Sequence, residues 1–155
     1  MQTTGGGYLK ISLEYAENKE PEVIIRGDTN SEETMQILSA LKQFYGFGKI
    51  MLKKQDENYL FNPKDIVYFE SLNGKTYAET TNGKYETGQR LYELSESLKA
   101  KGFIQINKST IVNINHVRAI SAEFSGNYCA RLIDSDETLI ISRKYFNKFK
   151  EFVRR

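Results

Sequence analysis

One cysteine and one histidine are all that this chain of 155 residues offers to thiol or imidazole chemistry. Cys129 has no partner for an internal disulfide, so an oxidising compartment is not required. In its Tyr-Cys-Ala-Arg-Leu alternation the thiol reads as packing rather than as a reactive group. His116 by itself cannot build a zinc site of the Cys and His kind. It stands in Asn113-Ile114-Asn115-His116-Val117, a turn-like stretch between strand patterns, where a surface imidazole is expected rather than a Ser-His-Asp relay. Long apolar runs are missing too. The 39% apolar share arrives in short pieces, and none approaches the roughly 18 residues that a membrane span needs. Residues 1–7 are polar and glycine-rich, without the basic stretch and apolar core of a secretion signal. The expected location is the cytoplasm.

Metal and phosphate motifs fail on inspection. Asp134-Ser135-Asp136-Glu137 lacks the alternating ligands, central glycine and terminal glutamate of a calcium loop, and reads as a solvated hairpin turn. Gly46-Phe47-Gly48-Lys49 lacks a glycine five residues before Gly48 and has Ile50 where a metal-binding hydroxyl would stand. Those glycines mark a helix stop and a turn. No cofactor, metal or small-molecule substrate is implied, and an enzyme is not expected. A receiver domain would alternate parallel strands and helices with acidic strand ends, which this chain does not do.

What is there is strand pattern and an uneven charge. Residues 8–15 alternate through Leu9, Ile11, Leu13 and Tyr15, and 22–26 carry Val23, Ile24 and Ile25, a period-two reading that predicts an antiparallel hairpin. Asp28 to Ser31 offers helix-capping chemistry, followed at helical spacing by Met35, Ile37, Leu38, Leu41 and Phe44. This predicts a β-β-α unit over residues 1–48. From Lys49 onward short strands dominate, with Asn73-Gly74 and Asn82-Gly83 as hairpin signals because both residue types tolerate positive φ. One helix carries Leu91, Leu94 and Leu98 on a single face and stops at Gly102; another begins near Ser142 with Tyr145, Phe146, Phe149, Phe152 and Val153. Residues 1–63 hold 7 basic and 9 acidic side chains, and residues 64–155 hold 15 and 11. The basic excess concentrates at Arg143, Lys144, Lys148, Lys150, Arg154 and Arg155, a distribution suited to a polyanion, although on charge alone a solvated helix face is the preferred reading.

Three ordered segments carry a resemblance: Asp65-Ile66-Val67-Tyr68-Phe69-Glu70-Ser71, then Phe103 through Asn113 with its phenylalanine, Ser109 and Val112-Asn113 pair, then Ile141-Ser142-Arg143-Lys144-Tyr145. Together they resemble the LytTR-type DNA-binding domain family over residues 49–155. The chain departs from the family at Gln105, where arginine is common, and at Asn107, where histidine is common, so base preference there is not carried over. The resemblance implies a mainly β (α+β) fold, an elongated stack of small antiparallel sheets whose loops reach successive major grooves of double-stranded DNA. It also implies pairs of domains on repeated half-sites.

On this reading Arg143 forks onto guanine, Lys144 and Lys108 take phosphates, and Asn107 faces adenine. Ser109, Lys75 and Asn73 lie near the backbone, with Ser109 equally suited to an internal cap. Tyr68, Phe69, Phe103, Ile111, Val112 and Phe146 are assigned to the core. With no receiver ahead of the domain, phosphorylation control is not expected. Compact regulators of this kind resemble those restrained by a membrane partner, so homodimerisation through the N-terminal unit and an inhibitory membrane protein are the expectations. The rival from another class is a non-catalytic protein-interaction or sensor module; RNA binding on exposed aromatics ranks below it, since most of the 10 Tyr and 9 Phe alternate into strands.

Overall fold

The computed structural model describes residues 9–17, 22–44 and 48–154, without the side chains of 42–44. The chain divides into two compact units, Met1–Phe47 and Gly48–Arg155. In the first unit the described structure is one helix, α1 (Glu32–Phe44). Ser31 caps it as its sequence suggests, its Oγ accepting from the Thr34 N–H at 3.1 Å, and Glu32 and Glu33 complement the positive end of the helix dipole. The hairpin expected ahead of it is not formed: among the described residues, 9–16 and 22–26 belong to no strand. Alternation gives a segment an apolar face but no partner for it, and an isolated two-stranded ribbon is marginal in water. Here Leu9, Ile11, Leu13, Val23 and Ile24 are all exposed, Leu13 almost completely at 97%.

The second unit is mainly β, as the resemblance implied. Strands β1 (Ile50–Lys54), β2 (Glu57–Phe61), β3 (Ile66–Leu72), β4 (Lys75–Thr80) and β5 (Gly83–Thr87) precede α2 (Leu91–Leu98). Then come β6 (Phe103–Asn107), β7 (Thr110–Asn113), β8 (Val117–Ala122), β9 (Tyr128–Leu132), β10 (Thr138–Ile141) and α3 (Arg143–Val153). They form one antiparallel sheet of seven strands, ordered β2-β1-β5-β4-β3-β7-β6, and a second of three, β10-β9-β8. The β3–β4 hairpin closes through Asn73 and Gly74, at φ +53° and +79°, the pair of positive angles that a type I′ turn requires.

Strand period two explains why β3 and β7 are apolar on both faces. Phe69 and Ile111, paired in register, face a core completed by Leu52, Leu94, Leu98 and Phe103. Their neighbours Tyr68 and Val112, also paired, face a second core with Ile106, Ala130, Leu132, Ile141 and Phe149. The large sheet thus carries α2 on one face and the small sheet with α3 on the other. Phe146 is half-buried at the margin of the second core, stacked on Tyr128 with ring centroids 3.5 Å apart. Burial, followed by the Glu137 carboxylate in the turn before β10, holds the pKa of the Tyr68 hydroxyl above the ordinary phenol value.

His116 Nε2 meets the Lys64 carbonyl at 2.7 Å and so donates to it, tying the turn before β8 to the turn before β3. Among the described residues no helix is long and apolar enough to cross a membrane.

Candidate nucleic-acid interface

Three connections meet along one end of the large sheet. The β6–β7 turn is bonded to β3, the Ser71 N–H donating to the Ser109 carbonyl at 2.8 Å. The same turn is joined to the start of α3 by the Ser142 N–H, which donates to the Ile106 carbonyl at 2.9 Å. Lys108 and Arg143, separated by 35 positions of sequence, therefore rise from adjoining backbone, and both are exposed.

Asn107 makes a second tie across this junction. Its Nδ2 donates to the Ile140 carbonyl at 2.8 Å, while its Oδ1 accepts from the Ser109 N–H at 2.9 Å and the Ser109 hydroxyl at 3.1 Å. An asparagine has two donor hydrogens and two acceptor lone pairs; three of the four are engaged within the protein. The side chain expected to face adenine is thus committed to holding the turn against β10, and Ser109 is engaged with it. Gln105 reinforces the turn, Nε2 donating to the Asn107 carbonyl at 3.0 Å.

Arg143 stands at the first position of α3. Ser142 occupies the cap position, but its hydroxyl makes no capping bond. The cap comes instead from Asn127 in the β8–β9 connection, whose Oδ1 accepts from the Arg143 N–H at 3.1 Å. The guanidinium lies along the same connection: a Cβ added at Gly126 would stand 3.2 Å from Arg143 Nη1. Glycine at that place is what leaves room for the arginine. Among the described residues no carboxylate is ion-paired with Arg143. Lys144, beside it, is exposed.

Asn73 and Lys75 sit on the exposed β3–β4 hairpin. Lys75 Nζ is 3.4 Å from Glu86 Oε1, and both side chains are well exposed, so the pair is worth about 0–1 kcal/mol and readily exchanges for another anion. Beyond them lies a groove of about 630 Å³ lined by Lys53, Lys75, Arg90 and Lys108, with Glu86 as its one carboxylate. Lys53 and Arg90 are not evident from sequence, because β1 and the start of α2 reach this end only through the strand order of the folded sheet. Asn127 is likewise hidden, since its capping partner follows 16 positions later.

Comparison with known proteins gives one coherent result. The family model described as the LytTr DNA-binding domain matches residues 56–154. A sensory transduction protein LytT of Bacillus anthracis is 31% identical over 107 residues, 68% of this chain and 43% of that protein. The transcriptional regulatory protein NatR of Bacillus subtilis is 24% identical over 105 residues, 68% of this chain and 45% of that protein. The chain thus aligns with less than half the length of either. An uncharacterized HTH-type transcriptional regulator of Staphylococcus aureus is 28% identical over 144 residues, covering 92% of this chain and 97% of the relative. Among solved structures, a LytTr DNA-binding domain from Bacillus cereus superposes with a TM-score of 0.65 at 25% identity, covering 70% of this chain and 98% of that one.

Proposed function

Because the chain belongs to the LytTr family of DNA-binding domains, we propose that it is a sequence-specific transcriptional regulator that reads double-stranded DNA through the loops at one end of its large sheet. The observation that carries this reading is the hydrogen bond from the Ser142 N–H to the Ile106 carbonyl, which brings the backbone leading to Lys108 next to the backbone leading to Arg143. The geometry supports a division of labour. Arg143, exposed and fixed at its backbone, reads a guanine edge in the major groove, where a forked guanidinium matches O6 and N7. Lys144, Lys108, Lys75, Lys53 and Arg90 neutralise phosphates, and Asn73 approaches the backbone at the hairpin tip. Asn107 and Ser109 act by keeping the reading loops in register. The regulator does no covalent chemistry, needs no cofactor, and works in the cytoplasm.

Selection from random duplex DNA followed by titration with salt tests the assignment. If about four phosphates are neutralised in the groove, log affinity against log salt has a slope of roughly −4, and Lys108→Ala makes it shallower by about 1 without changing the selected sequence. Failure to enrich any duplex would overturn the reading.

The exposed apolar side chains Ile11 and Leu13 are assigned to homodimerisation, which would place two domains on repeated half-sites. Sedimentation of the Leu13→Asp variant is expected to give a monomer where the parent chain gives a dimer; an unchanged dimer would remove the role. A restraining membrane protein is proposed to compete for the same side chains, and its failure to crosslink to the parent chain in cells would dismiss it.

A further inference from the structure

Phe124 is the most exposed large apolar residue described in the chain, at 112% of its reference area. Its loop is well ordered by its own hydrogen bonds. The Glu123 N–H donates to the Asn127 carbonyl at 2.9 Å, the Gly126 N–H to the Glu123 carbonyl at 3.0 Å, and the Asn127 N–H to Ser125 Oγ at 3.3 Å. The same loop is fastened to Arg143 by the Asn127 cap, and Gly126 lies close to the guanidinium. The backbone that carries the bare phenyl ring is thus held beside the arginine.

We propose that Phe124 is a specificity-determining residue that packs on the C5-methyl of a thymine adjacent to the base read by Arg143. This rests on the DNA-binding reading above. The ring has no hydrogen-bonding group, and the apolar feature that the major groove offers is the thymine methyl. At the capped junction Arg143 and Lys144 outnumber the one carboxylate of the loop, Glu123, so a polyanion is the complementary occupant and a second copy of this chain would bring the same excess of positive charge.

The test uses the full chain and the duplex it selects. The wild type is expected to enrich thymine at one position flanking the guanine, and Phe124→Ala to lose that preference with a roughly tenfold weaker affinity. Replacing the selected thymine by uracil, which deletes only the methyl, is expected to weaken the wild type roughly fourfold and leave Phe124→Ala unaffected. Because the side chain is neutral, the salt slope stays the same in all arms, and because it is exposed, the melting temperature does not move. Equal binding of thymine and uracil duplexes by the wild type, wild-type affinity in Phe124→Ala, or a changed sedimentation coefficient in that variant would each overturn the proposal. In those cases a retained steep salt slope and a dependence on Arg143 would leave the DNA-binding reading intact. If no duplex is enriched, that reading falls and the Phe124 contact with it.

Discussion

Asn113→Leu is expected to lower the free energy of unfolding by about 3 kcal/mol, shifting the urea midpoint by about 1.5 M. Asn113 is 1% exposed at the end of β7. Its Nδ2 donates to the Ile66 carbonyl at 3.0 Å and to the Pro63 carbonyl at 3.3 Å, and its Oδ1 accepts from the Asn115 N–H at 3.1 Å. One amide thus holds the turn before β3 against the turn before β8. Leucine has the same number and branching of side-chain heavy atoms and is somewhat larger, so it opens no cavity, but it leaves the Ile66 carbonyl and the Asn115 N–H without their partners. A buried unpaired polar group costs about 1–3 kcal/mol. Asn113→Asp is expected to do worse, because a carboxylate cannot donate and would face two carbonyl oxygens. The residue lies at the opposite end of β7 from Lys108 and Ser109. Protein that remains folded should therefore keep its DNA sequence preference. A loss below about 1 kcal/mol would mean that water satisfies these groups and that the asparagine holds little.

This result bears on what the sequence motif means. Of the residues that carried the central resemblance, three are buried: Phe103 in the core under α2, Val112 in the core under the small sheet, Asn113 as the clamp between two turns; the fourth, Ser109, is exposed and bonded to Asn107. The motif announces the scaffold. It was legible because burial and turn geometry restrict residue type locally: their apolar character within the motifs assigned Tyr68, Phe69, Ile111 and Val112 to the core, and Asn73-Gly74 announced a turn by its tolerance of positive φ. Polar partnerships across the fold were not legible. Nothing local shows that Asn107 is bonded to the Ile140 carbonyl, or that Asn127 supplies the capping oxygen for a helix that starts 16 positions later. Lys53 and Arg90 join Lys108 only because the sheet order brings β1, the start of α2 and the β6–β7 turn to one end. The N-terminal alternation misled for the converse reason: a periodic apolar face is a local property, whereas a strand needs a neighbour that alternation does not supply.

For Arg143→Ala, the expected result is a loss of about 2 kcal/mol, roughly thirtyfold, on the selected duplex and a much smaller loss on scrambled DNA, so that the ratio between the two collapses. The arginine is prepared for that contact before DNA arrives. Its backbone is fixed by the Asn127 cap and by the adjoining Ser142–Ile106 bond, its guanidinium rests along Gly126, and no described carboxylate must be displaced. With the backbone already ordered, only the side chain is left to be fixed on binding, which favours discrimination between bases. Arg143→Lys is expected to keep the salt slope of the wild type but not to recover the discrimination, since an ammonium preserves the positive charge yet cannot fork onto O6 and N7. Competition of selected against scrambled duplex, measured for all three proteins at two salt concentrations, separates the two contributions. Should Arg143→Ala keep the wild-type ratio and lose only slope, Arg143 would be a phosphate contact, and the reading of guanine would pass to its exposed neighbour Lys144.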